Sequence, residues 1–460
     1  MQLKEVVQVK TNGRFRNKFY HKSLEKYFSF YIPRQSKVLE IGCGTGDLLH
    51  AVNPSYGVGI DFSSLAIEHA SKKYPGLHFH VADADQVESD VVFDYIILSD
   101  ILHVLTDVQK VLKHLKKNTG SHTRLVISNY NFLWEPVLKF GEWIGLKHKD
   151  PFSNWLSHHD IFNLLELEGY QVIKNERKIL FPKYLPLFNF IFNKILVNLP
   201  FFNMFGLVNF IIARPVQVEE KELPVSIIIP ARNEKGNIEN AIKRTPAFGS
   251  AQQFIFIEGN SSDGTFEEMK RIQEIYKDKS IQVIRQTGKG KGNAVREGFE
   301  IATGEVLMIL DADLTTPPED LPKFYDAIVQ NKGEFINGCR LVYPMEKEAM
   351  RFLNLIGNKF FSWFFSYILG QRLKDTLCGT KVLLKKDYEK IKQNRSYFGN
   401  FDPFGDFDLL FGAAKLNLKI TEIYVRYKDR EYGSTQISRF KHGWLLLKMS
   451  FFAASKIKFI

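Results

Sequence analysis

Val306-Leu-Met-Ile-Leu-Asp311-Ala-Asp313-Leu-Thr-Thr-Pro-Pro-Glu319 sets an uninterrupted apolar run directly against two carboxylates separated by one residue. The run predicts a buried strand over Glu305–Leu310, and side chains alternate along a strand, so Asp311 and Asp313 can face one way at its C-terminal edge. Two hard oxygen donors there suit Mg²⁺ or Mn²⁺ bridging a diphosphate, with the metal neutralising charge that develops on a departing nucleoside diphosphate. An Asp-x-Asp pair alone also fits a solvated turn, so its surroundings decide the reading.

On the N-terminal side, Val225-Ser-Ile-Ile-Ile-Pro230-Ala-Arg232-Asn-Glu234 reads as a strand ending in a polar turn. A second strand, Phe254–Glu258, runs into Gly-Asn-Ser-Ser-Asp263-Gly-Thr265, and a third is expected over Ile281–Gln286. Gly288-Lys-Gly-Lys291-Gly-Asn-Ala294 then supplies backbone amides and two lysines beside a helix start, where anions are favoured. On the C-terminal side lie Asp375-Thr-Leu-Cys-Gly-Thr-Lys381, Phe404-Gly-Asp406-Phe-Asp408 and Asp429-Arg430-Glu-Tyr-Gly-Ser-Thr435.

A second glycine-rich turn stands in the first half. Lys37-Val-Leu-Glu40-Ile-Gly42-Cys-Gly44-Thr-Gly46 follows a predicted strand and precedes a helix expected near Asp47, and glycine lets the backbone turn sharply against a ligand. Alone, G-x-G-x-G also fits nicotinamide or flavin binding or a tight structural turn. Further strands are expected at Gly57–Asp61, Leu77–Ala82, Phe93–Ser99 and Arg124–Asn129. Asp61 ends the second strand, where a carboxylate can accept both ribose hydroxyls. Asp83 follows the third, with Ala84 beside it, in position for an adenine amino group. Asp100 and His103 are weaker acceptor-side candidates. His158 and His159 open a late helix ending at Gly169 and are substrate-side candidates, although an N-terminal helix turn with Asp160 is the simpler reading.

Strand–helix alternation in both halves predicts two α/β domains with parallel sheets. The charged segment Gln217–Pro224 reads as a linker, giving domains at 1–215 and 224–460 joined by 216–223. Three widely spaced cysteines among 460 residues give neither a disulfide framework nor a metal pattern and suggest a reducing, cytoplasmic compartment. The N-terminus lacks the apolar core of a signal peptide, and no run is long enough for a clean membrane span.

The net charge of +11 admits nucleic acid, phosphorylated substrates or anionic lipid. Position favours lipid: no acidic residue occurs from Arg177 to Val218, where Phe and Leu interleave with Lys178, Lys183, Lys194 and Arg214. Phe188, Phe192, Ile195 and Leu199 recur there at helical spacing. The run Phe360–Leu369 and the basic tail Ser434–Ile460 add two more aromatic segments suited to an anionic membrane surface. Packing between domains or against a second copy would also accommodate them. Ser99-Asp-Ile-Leu102 lacks an Asn-Pro-Pro-Tyr type motif, so a nucleic-acid partner is not expected.

The order of the first-half motifs, over Ser36–Asn129, resembles class I S-adenosylmethionine-dependent methyltransferases. The resemblance implies that Glu40, Gly42, Gly44, Gly46, Asp61, Asp83 and Ala84 line S-adenosylmethionine, with Ser99 near its methionine end. The ensemble over Pro224–Met449 resembles family 2 glycosyltransferases of the GT-A fold, and within them polyprenyl-phosphate sugar transferases such as dolichol-phosphate mannose synthases. Both domains would then be Rossmann-like. The second resemblance implies a UDP- or GDP-sugar donor held by Pro230, Arg232, Glu234, Glu258, Asp263, Lys291, Asp311 and Arg340. It further implies metal at Asp311 and Asp313, an acceptor near Asp375, and Arg430 beside the transferring phosphates. Two departures stand out. Glu258-Gly replaces a usual pair of aspartates, and Gln436 replaces a lysine, leaving Arg439 or Lys441 to supply that cation.

The implied reaction is inverting, metal-dependent sugar transfer to a polyprenyl phosphate or membrane glycolipid, paired with methyl transfer to a small molecule, glycan or lipid. A lipid phosphate is already anionic and needs no strong base. A glycan hydroxyl would need one, and Asp406 or Asp408 is the candidate. The expected location is the inner face of the cytoplasmic membrane, peripherally bound. In the alternative, the glycosyltransferase acts on a glycan hydroxyl and the N-terminal domain methylates an unrelated acceptor or only binds S-adenosylmethionine.

Overall fold

The computed structural model describes residues 18–87, 89–144, 156–217, 221–342, 352–397, 406–428, 430, 432 and 439–460. The chain divides into two compact units, Met1–Gln217 and Val218–Lys458.

In the N-terminal unit the apolar runs form β1 (Lys37–Ile41), β2 (Tyr56–Asp61), β3 (His78–Val81), β4 (Phe93–Ser99), β5 (Thr119–Tyr130), β6 (Tyr170–Lys178) and β7 (Val208–Pro215). Their order is β3-β2-β1-β4-β5-β7-β6. Strands β1 to β5 run parallel, whereas β7 is antiparallel to both neighbours. The expectation of a purely parallel sheet therefore fails at β7. No crossover helix carries the chain back to the start of the sheet after β6, so the next strand enters in the opposite sense. Every residue of β7 is buried, which fixes its place inside the sheet rather than at an edge. The helix Lys18–Tyr31 buries Tyr20, Leu24, Tyr27, Phe28 and Tyr31, an i, i+4, i+7, i+8, i+11 stripe. Three of those rings surround Phe210 of β7 at 5.4 to 5.5 Å.

The C-terminal unit has β8 (Val225–Ala231), β9 (Gln252–Glu258), β10 (Ser280–Arg285), β11 (Val306–Ile309), β12 (Phe335–Cys339), β13 (Lys381–Leu384) and β14 (Ile420–Tyr424). The order is β10-β9-β8-β11-β13-β12-β14. Here β13 is the reversed strand, antiparallel to β11 and β12. The core fills with Ile227, Ile229, Phe254, Phe256, Met308 and Phe324, all essentially inaccessible.

In each sheet the strand order reverses direction beside the first strand, between β1 and β4 and between β8 and β11. Loops leaving the two strands there diverge and open a crevice at the C-terminal edge, the usual ligand position in open α/β sheets. Both glycine- or carboxylate-bearing motifs lie at these two points.

Candidate active sites

In the N-terminal unit the turn after β1 has all three glycines in the left-handed region, Gly42 at φ 73°, Gly44 at 54° and Gly46 at 74°. A Cβ at Gly42 would overlap the Ile101 side chain, whereas one at Gly44 would meet nothing within 4 Å. Gly44 thus borders open space, as a ligand cradle requires. Asp61, at the end of β2 and 4% exposed, accepts from the Gly44 N–H at 2.9 Å and the Ser63 N–H at 2.9 Å. One carboxylate therefore sets both the glycine turn and the start of the next helix. Glu40 is buried within β1. Asp83 is exposed two residues past β3, and Ala84 packs partly against the core.

On the opposite side of this crevice Ser99 ends β4, its hydroxyl 3.3 Å from that of Ser128 on β5. Asp100 adopts φ 47° and accepts from Tyr20 Oη at 2.7 Å and Ser128 Oγ at 2.9 Å. Burial and the Asp100 charge push the Tyr20 phenol well above its ordinary value, so it stays a donor. Tyr130 stacks on Tyr20 at 6.0 Å and lies 6.0 Å from the His103 ring. Tyr20, Ser128 and Tyr130 carried no local sequence signal, because only the folding of the first helix over the sheet brings them here. Away from this cluster, Ser157 and Asp160 form a reciprocal capping box at the helix His158–Leu167, matching the simpler reading of that segment.

In the C-terminal unit the carboxylate pair lies in the turn just beyond β11. Lys291, at the start of the helix Lys291–Ile301, places Nζ 2.6 Å from Asp311 Oδ1. Burial opposes ionisation of Asp311, but Lys291, Lys381 and Arg340 outweigh it and hold the carboxyl below its ordinary range. Asp313 Oδ1 accepts from the Thr315 hydroxyl at 2.8 Å, and its Oδ2 accepts from Arg430 Nη2 at 2.7 Å. The other end of the same guanidinium donates to Glu234 Oε1 at 2.6 Å. Burial raises the Glu234 carboxyl above its usual value, with Arg430 pulling against it. Lys381, to which the sequence assigns no role, is wholly buried and donates to Asn337 Oδ1 at 2.9 Å and the Cys378 carbonyl at 2.6 Å.

The neighbouring loops are tied to one another. Glu258 accepts from the Ser261 N–H, and Asn233 Oδ1 accepts from the Ser262 N–H at 2.9 Å. Asp263 accepts from the Thr265 N–H at 3.0 Å and the Lys235 N–H at 3.2 Å, a turn ahead of the helix Thr265–Ile275. Pro230 is half-buried and Arg232 exposed at the rim. The Gly288 loop is clamped by Asn293, which accepts from the Gly288 N–H at 3.1 Å.

Arg340 and Asp375 engage each other, Nε to Oδ2 at 2.7 Å and Nη2 to Oδ1 at 2.9 Å. Asn358 and the Leu377 N–H also donate to Asp375, which is inaccessible. Asp408, 8% exposed at its side chain, is held by Arg395 at 2.9 Å and Arg296 at 3.7 Å. The side chains of Asp406, Arg439 and Lys441, and Gln436 altogether, lie outside the described residues.

The donor set at Asp311 and Asp313 fits a hard divalent cation completed by substrate phosphates, since Mg²⁺ commonly takes only one or two protein carboxylates. Among the described residues no three acidic, His or Cys side chains form a closed cage.

Two α/β units, one with a glycine cradle and one with a carboxylate pair ringed by cations, define a transferase with two domains. The glycosyl transferase family 2 profile matches residues 226–391, and a methyltransferase domain profile matches residues 32–173. Glycosyltransferase AglJ of Haloferax volcanii is 30% identical over 225 residues, covering 48% of this chain and 69% of that one. Dolichol-phosphate mannosyltransferase of Pyrococcus furiosus is 37% identical over 123 residues, covering 26% of this chain and 34% of that one. Undecaprenyl-phosphate 4-deoxy-4-formamido-L-arabinose transferase of Aeromonas hydrophila is 31% identical over 110 residues, covering 23% of this chain and 34% of that one. The chain thus spans about a third of the latter two proteins. It belongs to glycosyl transferase family 2 and carries a methyltransferase domain ahead of the glycosyltransferase domain.

Proposed function

We propose that this chain is a bifunctional enzyme, with the C-terminal domain transferring a sugar from a UDP- or GDP-sugar to a polyprenyl phosphate at a membrane surface. The N-terminal domain uses S-adenosylmethionine to methylate a second acceptor. The observation carrying this reading is the paired arrangement Lys291–Asp311 and Arg430–Asp313. Two cations and two carboxylates there match the charges of a diphosphate and its counter-ion. The names of the Pyrococcus and Aeromonas relatives supply the lipid-phosphate acceptor.

On this reading Asp311 and Asp313 would hold Mg²⁺ or Mn²⁺, which when bound would supply Lewis-acid neutralisation of charge on a diphosphate leaving group. Lys291 swings from Asp311 to a phosphate oxygen, and Arg430 turns its fork toward the transferring phosphates. Glu234, Glu258, Asp263, Pro230 and Arg232 border the nucleoside. Arg340 and Asp375 act as a locked pair shaping the sugar and acceptor side. The acceptor phosphate attacks in line at the anomeric carbon, and its oxygen brings its own negative charge. That favours a phosphate over a glycan hydroxyl, because Asp408 is already engaged by two arginines.

In the N-terminal domain S-adenosylmethionine supplies an activated methyl group, so the protein has mainly to orient it. Glu40, Asp61, Asp83 and Ala84 hold the nucleoside, Gly42, Gly44 and Gly46 make room, and Ser99 borders the methionine end. No described helix is long and apolar enough to cross a membrane. The aromatic segments support peripheral attachment at the inner, cytoplasmic face.

Purified chain is incubated with membrane lipid extract, radiolabelled UDP- or GDP-sugars and Mg²⁺ or Mn²⁺. Label in an organic-extractable product, lost in Asp313→Ala, is the expected result. Label only in water-soluble glycans would sink the lipid-phosphate acceptor.

A further inference from the structure

The methyltransferase unit carries an apolar surface that neither its core nor its cofactor crevice uses. Val137, Phe140 and Trp143 on the helix Glu135–Trp143, and Leu187, Phe190 and Phe201 on the segment after β6, are each more than half exposed, Trp143 by 80%. This surface is built, not frayed. Asn193 Oδ1 accepts from the Leu180 and Phe181 N–H groups at 2.8 Å, and its amide donates to the Phe181 carbonyl. Asn203 donates to the Arg177 and Val197 carbonyls. With asparagines satisfying the backbone of a proline-broken segment from inside, apolar side chains are left facing out.

The two stretches are pinned together at the acceptor side of the crevice. Asn131, directly after β5, donates to the Met204 and Gly206 carbonyls at 3.0 and 2.9 Å. Trp134 Nε1 donates to the Phe205 carbonyl at 2.8 Å. The residue before Asn131 is Tyr130, which stacks on Tyr20 beside Asp100 and His103. The apolar surface therefore begins where the acceptor side of the site ends.

Charge identifies the occupant. Residues 177–218 contain no Asp or Glu, and Lys183 and Lys194 are exposed among the aromatic rings. Lys178 and Arg214, expected with them, are instead buried against Asn198 and Gln171 and take no part in the surface. Lys26 of the first helix lies near enough to Lys194 that partial burial and that neighbouring charge lower its pKa. The helix Glu135–Trp143 does carry acidic residues, among them Glu135, which is paired with Lys139, so the acid-free part of the surface is the 177–218 stretch. Its cations around aromatic rings suit anionic headgroups over an acyl layer, and an exposed apolar patch of this kind marks an interaction site.

We propose that this surface seats the N-terminal unit on an anionic bilayer and that its methyl acceptor is a membrane amphiphile entering past Tyr130. The inference rests on reading the unit as an S-adenosylmethionine-dependent methyltransferase. The acceptor's lone pair forms the new bond to the methyl carbon and the carbon–sulfur bond breaks with its electrons to sulfur. A proton on the acceptor atom leaves to water.

The test attaches an environment-sensitive fluorophore to Phe201→Cys in the full chain, since native Cys43, Cys339 and Cys378 are buried. Lys72→Cys, at a side chain 74% exposed, is the control position. Vesicles of phosphatidylcholine with phosphatidylglycerol should raise and blue-shift emission at 201 but not at 72, and pure phosphatidylcholine should do so less. With lipid extract and methyl-labelled S-adenosylmethionine, label should enter organic-extractable material. Trp143→Ser combined with Phe201→Ser should cut that by about tenfold, with S-adenosylmethionine affinity by calorimetry unchanged.

No vesicle response at 201, or methyl label confined to water-soluble material, overturns the proposal. So does emission that rises with protein concentration alone, which would make the face a contact between copies. Wild-type chain that binds no S-adenosylmethionine would instead sink the methyltransferase reading beneath it.

Discussion

Arg430 places Nη2 2.7 Å from Oδ2 of Asp313 while its Nη1 lies 2.6 Å from Glu234, so one guanidinium spans two carboxylates from loops after β8 and β11. A planar fork reaches the two from separate nitrogens, whereas an ammonium would have to reach both from one. Replacing Arg430 with Ala should lower sugar-transfer kcat by about 10² to 10³-fold, the usual cost of losing one fixed charge at a developing anion. Arg430→Lys should recover little of it. Steady-state transfer to lipid phosphate measures both. Near-wild-type turnover by the Lys variant would show that charge alone suffices.

Gly379 packs against the other carboxylate. A Cβ there would overlap Asp311 Oδ2 and stand 2.5 Å from Lys291 Nζ. Gly379→Ala should therefore push apart the Lys291–Asp311 pair and cut transfer by at least about tenfold, since small displacements of positioning groups are costly. Thermal unfolding should shift only slightly, because the groups displaced are side-chain ends. Full activity in Gly379→Ala would mean that the close approach is idle.

Much of this arrangement was legible before any coordinates. β4 falls where its apolar run ends, at Phe93–Ser99, and β2, β9 and β11 differ from expectation by a residue or two at their ends. The glycine turn and carboxylate pair were readable because their chemistry is local. Strand direction was not: β7 and β13 are apolar like their neighbours, and their reversal depends on how the connecting chain returns. Arg430 and Glu234 are 196 positions apart, and no spacing rule joins them. Arg340 and Asp375 could each be suspected, but their mutual engagement needed a fold. Tyr20 looked like one more aromatic in a basic N-terminus until its helix closed over β7.

That Arg340–Asp375 pair makes an acid-stability prediction. Burial favours the neutral acid, yet Arg340 wins and holds Asp375 at about 2, against an ordinary 3.8. A depressed carboxylate pKa stabilises the fold above the ordinary value and is lost as pH falls toward the folded one. The contribution is about 2 kcal/mol, fully present at neutral pH and fading between the ordinary value and about 2. Asp375→Asn should lose that slope. It should also cost about 3 to 5 kcal/mol at neutral pH, because Arg340 is left without its counter-ion. Denaturant unfolding across acid pH tests both, and an unchanged slope in the variant would remove the pair from the account.

Asp61 offers the cleanest handle on the N-terminal site. Its two oxygens take the Gly44 and Ser63 N–H groups, each at 2.9 Å, while Gly44 sits at φ 54° against open space. The carboxylate thus holds the turn in a left-handed conformation, and on the proposed reading it also stands where ribose hydroxyls would arrive. Asp61→Ala removes both. Each buried charged hydrogen bond is worth about 1.5 to 3 kcal/mol, so affinity for S-adenosylmethionine should fall at least about tenfold. Asp61→Asn keeps one acceptor oxygen and should fall between. The same titration should leave sugar transfer by the C-terminal domain untouched, which separates a local loss from misfolding of the chain. If calorimetry finds Asp61→Ala binding S-adenosylmethionine as tightly as wild type, Asp61 belongs to the turn alone and the ribose contact must be sought elsewhere.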